Sequence, residues 1–261
     1  MQERKMKKIW FWIIAVLITS LTALFQKLTG PTYPVREKVK IEDSWLACRL
    51  ERSHESTSDY QLEIKAQERK VSGYLLWKRF KTDEPWVKIP LARKDELLLG
   101  SLPAQPPAQK LEYKVILTSQ EKEISVSGEK PVVIRFKGHV PLALLTLHII
   151  VIFAAMLFST RAGIEALDPK GNPRKLSLWT FILLIFGGIV FGSIVQKLSL
   201  GQFWTGIPFG YDLTDNKTLI ALIGWIVAVF AGRGGRKARW WVFAASVLLL
   251  VVFLIPHSLL A

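Results

Sequence analysis

Ionisable side chains inside apolar stretches are where this chain could do chemistry, and His148 is the clearest of them. It lies near the middle of an apolar run at 140–158. An imidazole at such depth is costly unless it faces a cavity or a partner. Pro141, His148, Ala155 and Ser159 recur at spacings of seven, seven and four, which places them on one helical face. The chemistry open to the ring is proton relay, quinone contact or haem ligation. The structural alternative is a neutral histidine hydrogen-bonded to a neighbouring helix. His139 and His257 fall at the ends of apolar runs, so a bis-histidine haem would need a ligand from elsewhere.

A second candidate is the stretch 196–217, which joins two apolar runs. It is rich in aromatic residues, glycine and turn formers, and has little charge. Within it Trp204, Tyr211, Asp212, Asp215 and Asn216 are the residues suited to hold a ligand or an ion. Asp212 and Asp215 could supply anionic oxygens to a cation, but their spacing matches no established metal loop. The alternative is helix capping, with Thr214 or Asp215 accepting from the amides that open the next helix. Phe203, Trp204, Phe209 and Tyr211 suit the headgroup level of a bilayer.

Other reactive types carry less. Cys48 is the sole cysteine, so no intramolecular disulfide forms, and its alternation with Leu46 and Leu50 marks a small buried hydrophobe. His54, in Ser53-His54-Glu55-Ser56, reads as a solvated loop residue. Gly232-Arg233-Gly234-Gly235-Arg236-Lys237 lacks the preceding strand and the Gly-Lys-Ser/Thr ending of a phosphate-binding loop, and suits a tight turn that meets anionic lipid. No group of residues forms a diagnostic catalytic or metal motif, so the expectation leans to a protein that is not an enzyme and has no resident cofactor.

The elements that must position these residues are set by five apolar runs, at 9–25, 140–158, 178–195, 218–231 and 240–255. Four basic residues precede the first run, four separate the second from the third, and four separate the fourth from the fifth. Lysine and arginine are retained on the cytoplasmic side during insertion. One orientation satisfies all three clusters: five transmembrane helices, N-terminus inside, C-terminus outside, in a bacterial inner membrane. The first run lacks a small-x-small cleavage site and is read as an uncleaved anchor. The domains expected are 1–26, a cytoplasmic N-terminus and anchor helix; 27–138, extracytoplasmic; and 139–261, a bundle of four helices. The formal charge of +14 would suit nucleic acid, but the three inside clusters alone carry +9 of it. Nucleic-acid binding is excluded on that ground. Small residues, Gly188 and Gly192 on the third run and Ala221, Gly224, Ala228 and Ala231 on the fourth, predict close helix packing. The fourth run has only 14 residues, so either the bilayer thins there, the helix starts earlier, or the preceding loop enters the interface.

Between 27 and 138 the period changes to two. Tyr60, Leu62, Ile64 and Ala66 alternate with polar residues, as do Leu111, Tyr113, Val115 and Leu117, and then Val132, Ile134 and Phe136. Further strands are expected at 44–52, 73–80, 86–90 and 123–126, seven or eight in all, which favours an antiparallel sandwich. Leu102-Pro103, Pro106-Pro107 and Leu111-Glu112-Tyr113-Lys114-Val115 resemble the E-to-F crossing of fibronectin type III and immunoglobulin-like domains. The resemblance implies a tyrosine corner at Tyr113 and a core aromatic at Trp77. Trp204-Thr205-Gly206, Pro208, Gly210 and Asp212-Leu213-Thr214-Asp215-Asn216-Lys217-Thr218 resemble a signature of uncharacterised bacterial inner-membrane proteins, with an outside β-domain followed by a helical bundle. Arg135-Phe136-Lys137-Gly138 and Ile255-Pro256-His257-Ser258 fit the same resemblance, which implies architecture and no activity. The function expected is an interaction or assembly subunit whose β-domain engages a protein partner outside the membrane or within it. The alternatives are a redox, quinone- or haem-linked component using His148, and a small-solute or ion transporter component using the 196–217 loop.

Overall fold

The computed structural model describes residues 2–41, 44–66, 70–120, 122–231 and 235–255, with the side chains of 44, 231 and 235–237 left out. Residues 232–234 of the glycine-arginine turn and residues 256–258 therefore lie outside the described residues. The chain forms two compact units, one of helices (1–31, 140–198 and 202–261) and one of strands (32–139 with 199–201).

Eleven strands are described in the second unit. β1 (Val35–Ile41) and β2 (Ser44–Leu50) form a hairpin. β4 (Tyr60–Lys65), β8 (Leu97–Leu102) and β7 (Ala92–Lys94) form a second sheet in that order. The largest sheet runs β3 (Ser53–Glu55), β11 (Val132–Lys137), β9 (Lys110–Ser119), β5 (Ser72–Arg79), β6 (Val87–Pro90). β10 (Lys122–Ser125) pairs with the far end of β9. Alternation decides what faces inward: every second residue of β9 is buried, from Leu111 to Ser119, and Tyr60, Leu62 and Ile64 do the same on β4. One core results, with Leu62, Leu75, Leu98, Leu111, Val115 and Phe136 fully enclosed.

Several sequence expectations change here. β8 is a strand although Leu97 to Leu99 shows no alternation, because leucine occupies both its inner and outer faces. β1, β3 and β7 were likewise not expected. His54 sits in β3, paired in parallel with β11, and stacks edge-on to Tyr60 at 5.5 Å and Phe136 at 5.9 Å, so it is no solvated loop residue. Tyr113 forms no local corner: its hydroxyl donates 2.8 Å to the carbonyl of Glu51, 62 residues upstream. Tyr60 receives the Glu51 amide at 3.4 Å, so the two phenols together hold the chain between β2 and β3. Burial raises the pKa of both phenols above the ordinary tyrosine value. Trp77 packs against the core only partly buried, while Leu75 takes the enclosed place on β5.

In the first unit, α1 (Gln2–Thr29) and α2 (Leu142–Leu167) are followed by one continuous rod, Arg174–Leu200. That rod comprises α3 (Arg174–Leu184), a π turn (Ile185–Phe191) and α4 (Gly192–Leu200). α5 (Leu213–Ala231) and α6 (Gly235–Leu254) complete the unit. Four of these five rods are long and apolar enough to cross a membrane; the apolar part of the last, Ala238–Leu254, is shorter. Such lengths mark a membrane protein. The fourth apolar run is not short after all: its helix begins at Leu213 and has 19 residues, about 28 Å at the helical rise.

Glycines set the helix spacing. A side chain at Gly187 would lie 3.1 Å from the backbone nitrogen of Ile152 on α2, and one at Gly188 would strike Thr218 of α5 at 2.6 Å. Ala221 and Ala228 are buried, and Gly224 faces Leu248 of α6, so the small-residue stripe is used within the chain.

Candidate functional site

The loop ahead of α5 is built around one carboxylate. Asp212 opens the helix as its cap: Oδ1 accepts from the amides of Thr214 at 2.8 Å and Asp215 at 3.2 Å. The capping expected of Thr214 or Asp215 belongs to Asp212, one residue before the helix, because a cap must precede the amides it satisfies. Asp215 is thereby released for another task. It is buried at 5% exposure. Its Oδ2 accepts from the amides of Thr205 at 2.5 Å and Gly206 at 3.0 Å, from Gln196 Nε2 at 3.0 Å and from Thr205 Oγ1 at 3.2 Å. Gln196 Nε2 also donates to Thr205 Oγ1 at 2.7 Å, which ties the middle of α4 to the same point. Asn216 continues the seam, accepting the Ile207 amide at 2.8 Å.

The rest of the loop follows from those anchors. A side chain at Gly206 would meet Asp215 Cβ at 2.6 Å and Asn216 Oδ1 at 2.7 Å; one at Gly210 would meet the Thr205 carbonyl at 2.5 Å. Both positions therefore exclude a Cβ. The Gly206 carbonyl accepts from the amides of Phe209 and Gly210, each at 2.9 Å, and the Thr205 carbonyl accepts from Asp212 at 3.0 Å. Trp204 donates its indole N–H to the Ile207 carbonyl at 3.1 Å, and the Ile207-Pro208 bond is cis. What the loop presents outward is apolar: Phe203, Ile207, Phe209 and Tyr211, the last two 83% and 90% exposed.

This arrangement brings Trp204, Asp215 and Asn216 together, sets Asp212 at the helix start and leaves Tyr211 projecting. Around Asp215 stand donors, two of them backbone amides. A cation needs acceptors there. Among the described residues no group of three or more His, Cys, Asp or Glu is placed to hold a metal ion.

No protein-family model, curated protein or solved structure matches the chain.

His148 is positioned by the π turn. Its Nδ1 lies 2.9 Å from the Gly187 carbonyl, which also receives the Gly192 amide. A carbonyl only accepts, so Nδ1 carries the proton and Nε2 is the acceptor when the ring is neutral. The π turn passes this carbonyl to the amide five residues on, and its second lone pair takes the ring N–H.

One constellation was not expected from sequence. The basic clusters place Arg161 between the second and third apolar runs, but α2 continues to Leu167 and buries it at 3% exposure. Its Nη2 meets Glu165 Oε2 at 2.7 Å, one turn on. The guanidinium carbon lies 5.0 Å from the Phe11 ring and 5.5 Å from the Trp12 ring of α1. Glu165 also accepts the Asn172 amide at 3.2 Å. Nearby, Lys7 pairs with Asp168 at 3.0 Å and holds that carboxyl below its ordinary pKa, and Arg239 donates to the carbonyls of Ala166, Asp168 and Pro169. The signal available was the i, i+4 spacing of Arg161 and Glu165. The positive-inside pattern obscured it by marking every arginine there as loop.

Proposed function

We propose that this chain is a bacterial inner-membrane protein that acts by recognition, as an interaction or assembly subunit, and not by catalysis. The observation that carries this is the 203–211 loop: its polar groups are spent on its own rigidity and its apolar groups project. A loop fixed in this way loses little entropy on binding, which suits a docking element. The strand unit supports a partner-binding reading of its own. Its pairings, β4–β8–β7 and β6–β5–β9–β11, follow the B-E-D and C′-C-F-G order of immunoglobulin-like sandwiches. Five spans, with the N-terminus inside and the strand unit outside, are supported by the basic clusters beside the helix ends.

Removing the side chains of Phe209 and Tyr211 together is expected to leave the melting temperature in mild detergent unchanged while releasing co-purifying proteins. A wild-type protein recovered alone as a monomer, from cells that express its genomic neighbours, would overturn the reading.

Orientation is tested separately. Burial pushes the Cys48 thiol up to about 11, so the native cysteine gives little labelling background. A cysteine at Lys94 should react with an impermeant thiol reagent in intact spheroplasts, and one at Lys170 should not. The reverse pattern would invert the topology.

A second reading, a quinone- or haem-linked component, draws on His148, whose Nδ1 contact aims Nε2 as the ligand atom. Its signature is a Soret band or bound quinone in the purified protein.

A further inference from the structure

At the start of α3 a cavity of about 330 Å³ opens between α3, α5 and α6. Its polar side carries Asn172, Arg174 and Arg239, and its apolar side Leu178, Phe230 and Val242. Among the described residues that line it none is acidic. Arg174 is exposed, and among the described residues its guanidinium has no partner. Arg239 is engaged: its guanidinium donates to the carbonyls of Ala166, Asp168 and Pro169, and its charge also acts on the Asp168 carboxylate. Two arginines thus line one cavity, and Arg174 is the one whose guanidinium is left to meet a ligand. Guanidinium is the side chain best matched to phosphate, because its fork presents paired donors.

The apolar half decides which phosphate. Leu178 and Phe230 are 50% and 54% exposed, on rods long enough to cross a membrane. They stand on the cavity's apolar side next to its arginines, where the start of an acyl chain would lie. A soluble anion would make no use of that wall. Basic pockets between transmembrane helices are the usual form of an anionic headgroup site. We propose that this cavity binds the phosphate of an anionic phospholipid, with Arg174 as its accessible contact and the chain running past Leu178 and Phe230. This goes beyond the recognition role proposed above and does not depend on it.

The test uses the full-length protein in a neutral maltoside detergent, titrated with dioctanoyl phosphatidylglycerol, dioctanoyl phosphatidylcholine or inorganic phosphate. Thermal unfolding and native mass spectrometry read binding. Phosphatidylglycerol should bind saturably and raise the melting temperature, while the other two should not. Arg174→Gln should weaken the phosphatidylglycerol response about fivefold, the usual worth of one basic residue at such a surface. Ala238→Leu, which adds bulk on the cavity wall without changing charge, should weaken it as well. If Arg174→Gln melts low without lipid, Ala238→Leu carries the comparison. Equal responses to phosphatidylcholine would overturn the proposal. So would a matching response to phosphate alone, which would indicate a free-anion site. Undiminished binding by both variants would place the lipid elsewhere.

Discussion

Asp215→Leu is expected to lower the stability of the helical unit by about 3–5 kcal/mol, several times the worth of a helix cap. Leucine fits the volume but accepts nothing. Gln196 and Thr205 can still satisfy each other, since they already share a hydrogen bond of 2.7 Å. The amides of Thr205 and Gly206 cannot, and each buried orphan costs about 1–3 kcal/mol. Asp215→Asn should cost only about 1–2 kcal/mol, because one carbonyl oxygen can keep two donors but loses the charge that strengthens them. Asp212→Asn should be nearly silent, since asparagine caps as well as aspartate, and Asp212→Ala should cost about 1 kcal/mol. Thermal unfolding in detergent measures the series. The two aspartates would exchange roles if Asp212 proved the costlier to remove. Loss of function in both asparagine variants at full stability would revive the ion-site reading.

That contrast shows what the sequence could and could not give. Both carboxylates, the glycines and the aromatic residues of the loop were identifiable as a unit by composition. Their division of labour was not, because it depends on where α5 begins: with the start at Leu213 instead of Thr218, the cap is Asp212 and not Thr214 or Asp215. The strands with one wet face, β4, β9 and β11, were legible from alternation. β8 was hidden because its outer face also carries leucine, and β3 because a three-residue strand has no period to detect. His148 was legible as unusual for its depth, but its partner is a backbone carbonyl shared within a π turn, which no residue type announces. Apolarity ends at residue 158 on the second run, whereas α2 continues to Leu167, since burial and pairing let the helix carry Arg161 and Glu165 inward.

The Arg161–Glu165 pair yields the other large expected effect. Arg161→Leu leaves a carboxylate 8% exposed with the Asn172 amide as its remaining partner among the described residues, and Glu165→Leu leaves a guanidinium 3% exposed with no acid. Either single change should cost about 3–5 kcal/mol, the usual penalty for an uncompensated buried charge. The double change should cost clearly less than either, because two leucines need no partner. Arg161→Lys should fail to substitute, since an ammonium lacks the planar, weakly hydrated guanidinium that sits near the Phe11 and Trp12 rings. Melting temperatures of the four variants decide this, with near-ultraviolet circular dichroism as a second readout, because Trp12 also packs edge-on to Phe158 at 5.6 Å. A double variant that is as unstable as both single losses combined would show that the charges are not compensating each other. In that case Arg161 would owe its burial to the aromatic rings of α1 rather than to Glu165, and Trp12→Ala should then reproduce most of the Arg161→Leu loss.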